Sequence, residues 1–180
     1  MSAVGGLRDR TAEEQSKQEK LAARVHGYKG YTNGGTRDES DRIIRAKVLR
    51  SLRAATKSVT MALSRAIESS GSDKSEVIGK LIFQLNYIYS ALSRCPLGQA
   101  GLLEATKIEE DKAGELVSQD LAIVDLAEEI ETKGKELLEL AMRGDYDSIT
   151  RVIEELQVIM SRIEGMASSR EEILDGMRGQ

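Results

Sequence analysis

Apolar residues recur at intervals of three and four along most of the chain, the spacing that places them on one face of an α-helix. The first long stretch, residues 37–69, opens with the capping-box pair Thr36 and Glu39. The second, residues 73–94, is the most apolar, so we expect it to lie centrally. We expect it to end at Cys95, because the residue before a proline is disfavoured in helical conformation.

The C-terminal half repeats this pattern on an acidic background. Residues 108–143 predict one long helix, in which Gly114 and Gly134 favour a kink. The segment 143–147 contains Gly144 to end that helix and an aspartate to cap the next one. Residues 147–167 predict the fourth main helix, and a serine at 168 or 169 is expected to open a last short helix reaching residue 177.

The N-terminal segment is polar and less regular. Residues 1–10 predict a flexible arm, 11–26 a weakly packed helix, and 27–36 a loop rich in glycine and tyrosine. Short connections between successive helices favour antiparallel neighbours. The sequence therefore predicts an all-α fold, an antiparallel helical bundle of four main helices plus short N- and C-terminal helices, with residues 11–180 forming a single domain.

Composition excludes several classes of protein. One Cys precludes an internal disulfide and a cysteine-based zinc site, and one His precludes a histidine-rich metal centre. The absence of Trp and the single Phe and Pro are unlike a β-sandwich. No run approaches the ~18 apolar residues of a membrane span. No signal-peptide pattern opens the chain, so we expect a cytoplasmic location.

The net charge of −4 conceals an uneven distribution. Residues 1–100 carry 17 Lys and Arg against 10 Asp and Glu, whereas residues 101–180 carry 9 against 20. The 37–69 helix has one apolar and one basic face, with no acidic residue from 42 to 67. This face either contacts a polyanion or pairs with the acidic half of the chain. The candidate polyanion-contact residues are Arg42, Lys47, Arg50, Arg53 and Lys57.

The segment 27–36 reads Gly-Tyr-Lys-Gly-Tyr-Thr-Asn-Gly-Gly-Thr and is the most distinctive in the chain. A glycine loop that enters a helix can bind phosphate, but this one lacks the Gly-Lys-Ser/Thr ending of a P-loop and no strand precedes it. Its tyrosines favour a structural turn packed on the bundle, and the alternative is a partner-docking loop. The candidate docking residues are Tyr28, Lys29 and Tyr31.

Residues suited to catalysis are sparse. Cys95 and His26 lie far apart in the sequence, each in a context typical of an ordinary structural or surface residue. Carboxylates are plentiful, but no His follows residue 26, so the Glu-x-x-His motif of a di-metal bundle is absent. Asp120 is unusual because it places a charge on an apolar seam. It either pairs with a basic residue across the bundle, lies where the seam opens to solvent, or serves a site.

Two blocks resemble a known family. The first is Gly-Tyr-Lys-Gly-Tyr at 27–31 followed by Arg-Asp-Glu-Ser-Asp-Arg-Ile-Ile-Arg at 37–45, and the second comprises 100–109 and 120–125. Together they resemble an uncharacterised family of small all-helical bacterial and archaeal proteins with a Gly-Tyr-Lys-Gly-Tyr element before a charged helix. The resemblance implies a helical fold and carries no assigned activity.

These observations predict a non-enzymatic cytoplasmic interaction or scaffold protein that docks a protein partner through helix faces and the loop. It is expected to need no cofactor and no metal, and it is compatible with a homo-oligomer. The first alternative is a polyanion-binding module that uses the basic face of helix 37–69 on nucleic acid or an anionic membrane surface. The second is an enzyme with an all-carboxylate metal site.

Overall fold

The structure is a computed structural model that describes residues 15–31, 36–70, 72–94 and 110–178. A helix described over 15–24 (α1) precedes four long ones, which are α2 (Arg37–Ser70), α3 (Ser72–Arg94), α4 (Glu110–Arg143) and α5 (Tyr146–Arg178). Within these ranges no strand occurs, and the predicted antiparallel helical bundle is confirmed. The predicted arm at 1–10 and Cys95 lie outside the described residues.

The helix boundaries fall close to the predicted ones, with one difference. α4 runs without interruption through Gly114 and Gly134, in agreement with the single long helix predicted there. α5 continues to Arg178, so the predicted separate C-terminal helix is instead the last part of α5. The inward face of α5 explains this continuity, because the buried Arg170 follows the buried Ile163 by seven residues, the spacing of one helix face.

The connection between α4 and α5 follows the sequence prediction closely. Gly144 has a φ of +74° and donates its N–H to the Ala141 carbonyl, while the Asp145 N–H bonds to the Leu140 carbonyl at 3.0 Å. This left-handed glycine ends α4 because glycine adopts such a φ without steric cost. The Asp145 carboxylate accepts the Ser148 N–H at 3.2 Å and caps α5, and hydrogen bonding from Ser148 lowers the pKa of Asp145.

The chain divides into two compact units that alternate along the sequence. The first comprises 1–47, 96–124 and 166–180, and the second comprises 48–95 and 125–165. Helices α2, α4 and α5 therefore each contribute a segment to both units. The second unit holds a core of fully buried aliphatic side chains, among them Leu52, Leu81, Leu85, Ile130, Leu137 and Leu156.

Gly134 allows a close helix contact inside the second unit. A Cβ at this position would lie 3.1 Å from the Cα of Ala55 and 3.3 Å from the Ala55 carbonyl oxygen. Glycine therefore allows α4 to approach the backbone of α2 more closely than most residues with a Cβ would. Among the described residues, no helix has both the length and the apolar character needed to cross a membrane.

Candidate functional site

The loop at 27–31 turns its two tyrosine rings inward, within the first unit. Gly27 and Gly30 have φ values of +89° and +78°, in the left-handed region that favours glycine. Tyr28 and Tyr31 are both buried, and their rings pack edge to face with centroids 6.1 Å apart. Lys29 between them is exposed.

The first turn of α2 holds the loop in place. The Ser40 hydroxyl accepts the Lys29 N–H at 3.2 Å and donates to the Gly30 carbonyl at 3.1 Å. The Arg37 guanidinium donates to the Tyr31 carbonyl. These contacts satisfy backbone groups that would otherwise be buried without partners.

A buried polar cluster lies beneath the loop and comprises Tyr31, Asp41, Asp120 and Arg170. The Arg170 Nε donates to an Asp120 oxygen at 2.7 Å, and its Nη2 donates to the Tyr31 hydroxyl at 3.0 Å and to Asp41. The Tyr31 hydroxyl donates in turn to the second Asp120 oxygen. Arg45 reaches Asp41 from the rim at 3.4 Å. With Arg45 included, two carboxylates thus face two guanidinium groups.

Burial controls the titration of this cluster. Burial raises the pKa of Tyr31 well above its usual value, and the nearby Asp120 carboxylate raises it further. Burial also raises the pKa of Asp120, against the opposing effect of the Arg170 guanidinium. Burial acts to lower the pKa of Arg170, but the Asp120, Tyr31 and Asp41 groups around it raise it well above the ordinary range.

These positions bear directly on the sequence hypotheses. The rings of Tyr28 and Tyr31 are packed inside the molecule, which places them out of reach of a partner and leaves Lys29 as the accessible residue of that trio. The burial of both rings is what a structural turn requires, and a docking role for the loop stays a prediction. Of the three alternatives for Asp120, the structure shows the first, pairing with a basic residue.

Sequence reasoning missed Arg170 as the partner of Asp120. The available signal was its position seven residues after Ile163, on the inward face of α5. The sequence instead predicted a separate short helix at 168–177, and the buried face of a separate helix cannot be inferred from the helix before it. Asp41 was likewise treated as part of a charged block.

The carboxylates suggested for a metal site have other surroundings. Asp120 is engaged by Arg170 and Tyr31, which occupy both of its oxygens. No group of three or more His, Cys, Asp or Glu side chains suited to holding a metal ion occurs in the described part of the chain.

The five candidate polyanion-contact residues on α2 differ in their environments. Arg42 is exposed and paired with Glu39 at 2.6 Å, and hydrogen bonding to Glu39 raises the pKa of Arg42. Lys47 is half-buried. Arg50, Arg53 and Lys57 are exposed and belong to the second unit.

Arg53 and Lys57 border a groove of about 390 Å³ between α2 and α3, and the exposed Arg50 lies three residues before Arg53 on α2. We call this surface, together with Arg50, the basic groove. The Arg53 guanidinium donates to the Tyr89 hydroxyl at 2.6 Å and lies 5.5 Å from the centre of the Tyr89 ring. The groove is lined by Arg53, Thr56, Lys57, Thr60, Met61, Asn86 and Tyr89.

The acidic half of the chain does not neutralise the basic groove. Over residues 15–31, 36–70, 72–94 and 110–178, no carboxylate lies within ion-pair distance of Arg50, Arg53 or Lys57. Several acidic residues of α4 and α5 pair with basic residues on the same two helices. Such pairs join Lys133 to Glu136 and Glu155, and Lys135 to Glu131.

A second surface of the second unit exposes aromatic residues. Phe83 is 74% exposed and Tyr87, one helical turn later, is 58% exposed. Both border a groove of about 520 Å³ that also involves Met160 of α5. Their sequence signal was their position off the seam of α3 defined by Leu81, Leu85 and Ile88.

Neither a protein-family model, nor a curated protein, nor a solved structure matches this chain. The resemblance drawn from the blocks at 27–45 and 100–125 therefore stays a prediction.

Proposed function

We propose that this chain is a non-enzymatic, cytoplasmic interaction protein that docks an acidic surface of a partner protein in the basic groove. The observation that carries the proposal is the exposure of Arg50, Arg53 and Lys57 without a carboxylate of the described chain to pair with them. A cluster of three like charges is electrostatically unfavourable by itself and is relieved by an acidic partner.

The composition of the groove supports a protein partner. Protein interfaces combine an apolar centre with charged groups at the rim, and arginine, tyrosine and methionine are enriched in them. Met61 and Tyr89 supply such a centre, and the three cations supply one side of the rim.

Nucleic acid or an anionic membrane surface is the alternative ligand of the same cations. Three cations would neutralise few phosphates, and Tyr89, the aromatic residue that lines this groove, is already engaged by Arg53. Insertion into lipid is served by Trp, Phe and Leu, whereas the exposed apolar side chain of this groove is Met61. A protein ligand accounts better for the surface.

The test compares partners captured from an extract of the native cell by two charge-reversed variants. One carries Arg50→Glu, Arg53→Glu and Lys57→Glu. The matched control carries Lys80→Glu, Lys135→Glu and Arg162→Glu, three exposed positions elsewhere in the second unit with the same total change of charge. The extract is treated with nuclease and cleared of membranes.

We expect specific proteins to be retained by the wild type and the control, lost from the basic-groove variant, and released by about 0.5 M NaCl because salt screens exposed charges. Both variants should keep a free energy of unfolding within about 1 kcal/mol of the wild type, since exposed ion pairs contribute little. Identical captured proteins for both variants, or capture that nuclease removes, would contradict the proposal.

A further inference from the structure

We infer that the segment received by the basic groove is an acidic amphipathic α-helix, which lies along α2 with its carboxylates on Arg50, Arg53 and Lys57 and one aliphatic side chain against Met61 and Tyr89. The inference rests on the proposed function, because it specifies the form of the acidic partner. It follows from the spacing of the cations, the fixed position of Arg53, and the apolar floor beside them.

The spacing of the cations matches a second helix. Positions 50, 53 and 57 follow one another at intervals of three and four residues on one continuous helix. They therefore form a single row that rises about 10.5 Å along α2 over seven residues. A partner helix with carboxylates at the same intervals presents a row of equal length, whereas three successive same-side residues of an extended strand span about 14 Å, at about 7 Å per step.

Arg53 is already held in position for a carboxylate. Its hydrogen bond to the Tyr89 hydroxyl uses one Nη2–H and leaves other N–H donors of the guanidinium for a ligand. A side chain fixed before binding loses less conformational entropy when the ligand arrives. Arg53 is thus the member of the row best suited to bidentate recognition.

The groove offers apolar contact at Met61, and two of its hydroxyl groups are already bonded within α2. Met61 is 48% exposed, and methionine adapts its shape to varied apolar ligands. The Thr56 and Thr60 hydroxyls donate to carbonyls of their own helix, at 2.9 and 2.8 Å. A ligand that combines a row of acids with an adjacent aliphatic residue therefore suits the surface, and this combination is what an amphipathic helix provides.

The test uses two synthetic peptides of about 20 residues, long enough to form helix in water with an alanine-rich background. The aligned peptide carries Glu at i, i+3 and i+7 with Leu on the adjoining face. The permuted peptide has the same composition, with its acids distributed around the helix. Binding to the full chain is measured by fluorescence anisotropy at low and physiological salt.

We expect the aligned peptide to bind at least about tenfold more tightly than the permuted one, a difference of about 1.4 kcal/mol. The Arg50→Glu, Arg53→Glu, Lys57→Glu variant should lose this binding, and the Lys80→Glu, Lys135→Glu, Arg162→Glu control should keep it. Met61→Ser should weaken the aligned peptide several-fold. Met142→Ser is its matched control, because Met142 is 65% exposed and does not line the groove.

Equal binding of the two peptides, lost in the basic-groove variant, would overturn the helical register while leaving the proposed function intact. Absence of binding by either peptide would overturn this inference, and the capture experiment would then decide separately whether the groove receives another acidic surface. Tighter, salt-sensitive binding to a DNA duplex or to phosphatidylglycerol vesicles would overturn both proposals. Salt-dependent self-association abolished in the same variant would replace the partner helix with a second copy of the chain.

Discussion

Tyr28 and Tyr31 are neighbours in a loop, both buried, yet their hydroxyl groups have opposite surroundings. The Tyr31 hydroxyl donates to Asp120 and accepts from Arg170. The Tyr28 hydroxyl is buried and has no hydrogen-bond partner among the described residues. A buried hydroxyl without a partner is unfavourable, because it loses its hydrogen bonds to water and gains none in return.

This contrast predicts opposite effects of the same substitution. Tyr31→Phe should destabilise the protein by about 1–3 kcal/mol, because it removes the donor to one oxygen of the buried Asp120 carboxylate and an acceptor of the Arg170 guanidinium. Tyr28→Phe should leave stability unchanged or raise it by up to about 1 kcal/mol, since the lost hydroxyl made no bond. Urea unfolding followed by circular dichroism measures both values. Similar losses for the two variants would contradict the assignment.

The same tyrosines predict an alkaline loss of stability. Burial raises the pKa of both phenols above the usual value, so the folded chain keeps their protons where the unfolded chain releases them. Their contribution is complete below pH ~10 and is lost as the pH rises above it, at about 2.7 kcal/mol per pH unit for the two groups.

The Tyr28→Phe variant isolates this effect from the titration of surface lysines. It removes one of the two phenols, so the decline in unfolding free energy above pH ~10 should be shallower by about 1.4 kcal/mol per pH unit than in the wild type. Urea midpoints taken at intervals from neutral to alkaline pH give the two slopes. Parallel slopes would show that the Tyr28 phenol titrates alike in the folded and unfolded chain.

At the scale of a helix, one glycine of α4 and one of α5 have different surroundings, and the sequence does not reveal this difference. Glycine lowers helix propensity by about 1 kcal/mol relative to alanine. Gly134 lies against the Ala55 backbone, whereas no atom lies within 4 Å of where a Cβ would be at Gly165. Propensity alone treats the two residues as equivalent, and helix packing separates them.

Alanine substitutions at these two glycines should therefore change the stability of the protein in opposite directions. Gly165→Ala should stabilise α5 by about 0.5–1 kcal/mol through propensity. Gly134→Ala should destabilise by about 1–3 kcal/mol, because the new methyl group overpacks the contact with α2. Thermal unfolding by circular dichroism distinguishes them. Stabilisation by both changes would mean that the α2 to α4 contact relaxes without cost.

At the scale of the whole molecule, Arg170 joins parts of the chain that are distant in sequence. Its guanidinium contacts Tyr31 across 139 residues, Asp41 across 129 and Asp120 across 50. A buried ion cluster of this kind adds less net stability than its contacts suggest, because each charge is first removed from water. Removal of one member is nevertheless costly, since the remaining charges stay buried.

Arg170→Met should therefore destabilise the chain by about 3–5 kcal/mol, the loss typical of a buried pair broken on one side. Arg162→Met, a change at an exposed arginine of the same helix, is the control and should change stability by less than about 0.5 kcal/mol.

Adding Asp120→Asn to Arg170→Met should recover part of the loss, because it removes one unpaired carboxylate. The measurement is the urea midpoint of each variant, and equal midpoints for the two arginine variants would exclude a buried role for Arg170.

The helical class and most helix limits of this protein could be predicted from the order of its residues. Periodicity of three and four and the glycine and aspartate between α4 and α5 depend on local geometry, which can be read from neighbouring residues. The sequence also showed that Asp120 is a charged residue on an otherwise apolar helix face. These are properties of one helix or one turn at a time.

Which charges are paired and which are exposed depends on how the helices pack. Packing places Arg170 on Asp120, buries both tyrosines of the loop, and leaves Arg50, Arg53 and Lys57 without an ion pair to a carboxylate of the described residues. Composition suggested that the basic and acidic halves neutralise each other, but Coulomb interactions in water fall off within about 10 Å. Pairing therefore depends on distances between side chains from distant segments, and those distances are established only when the helices pack.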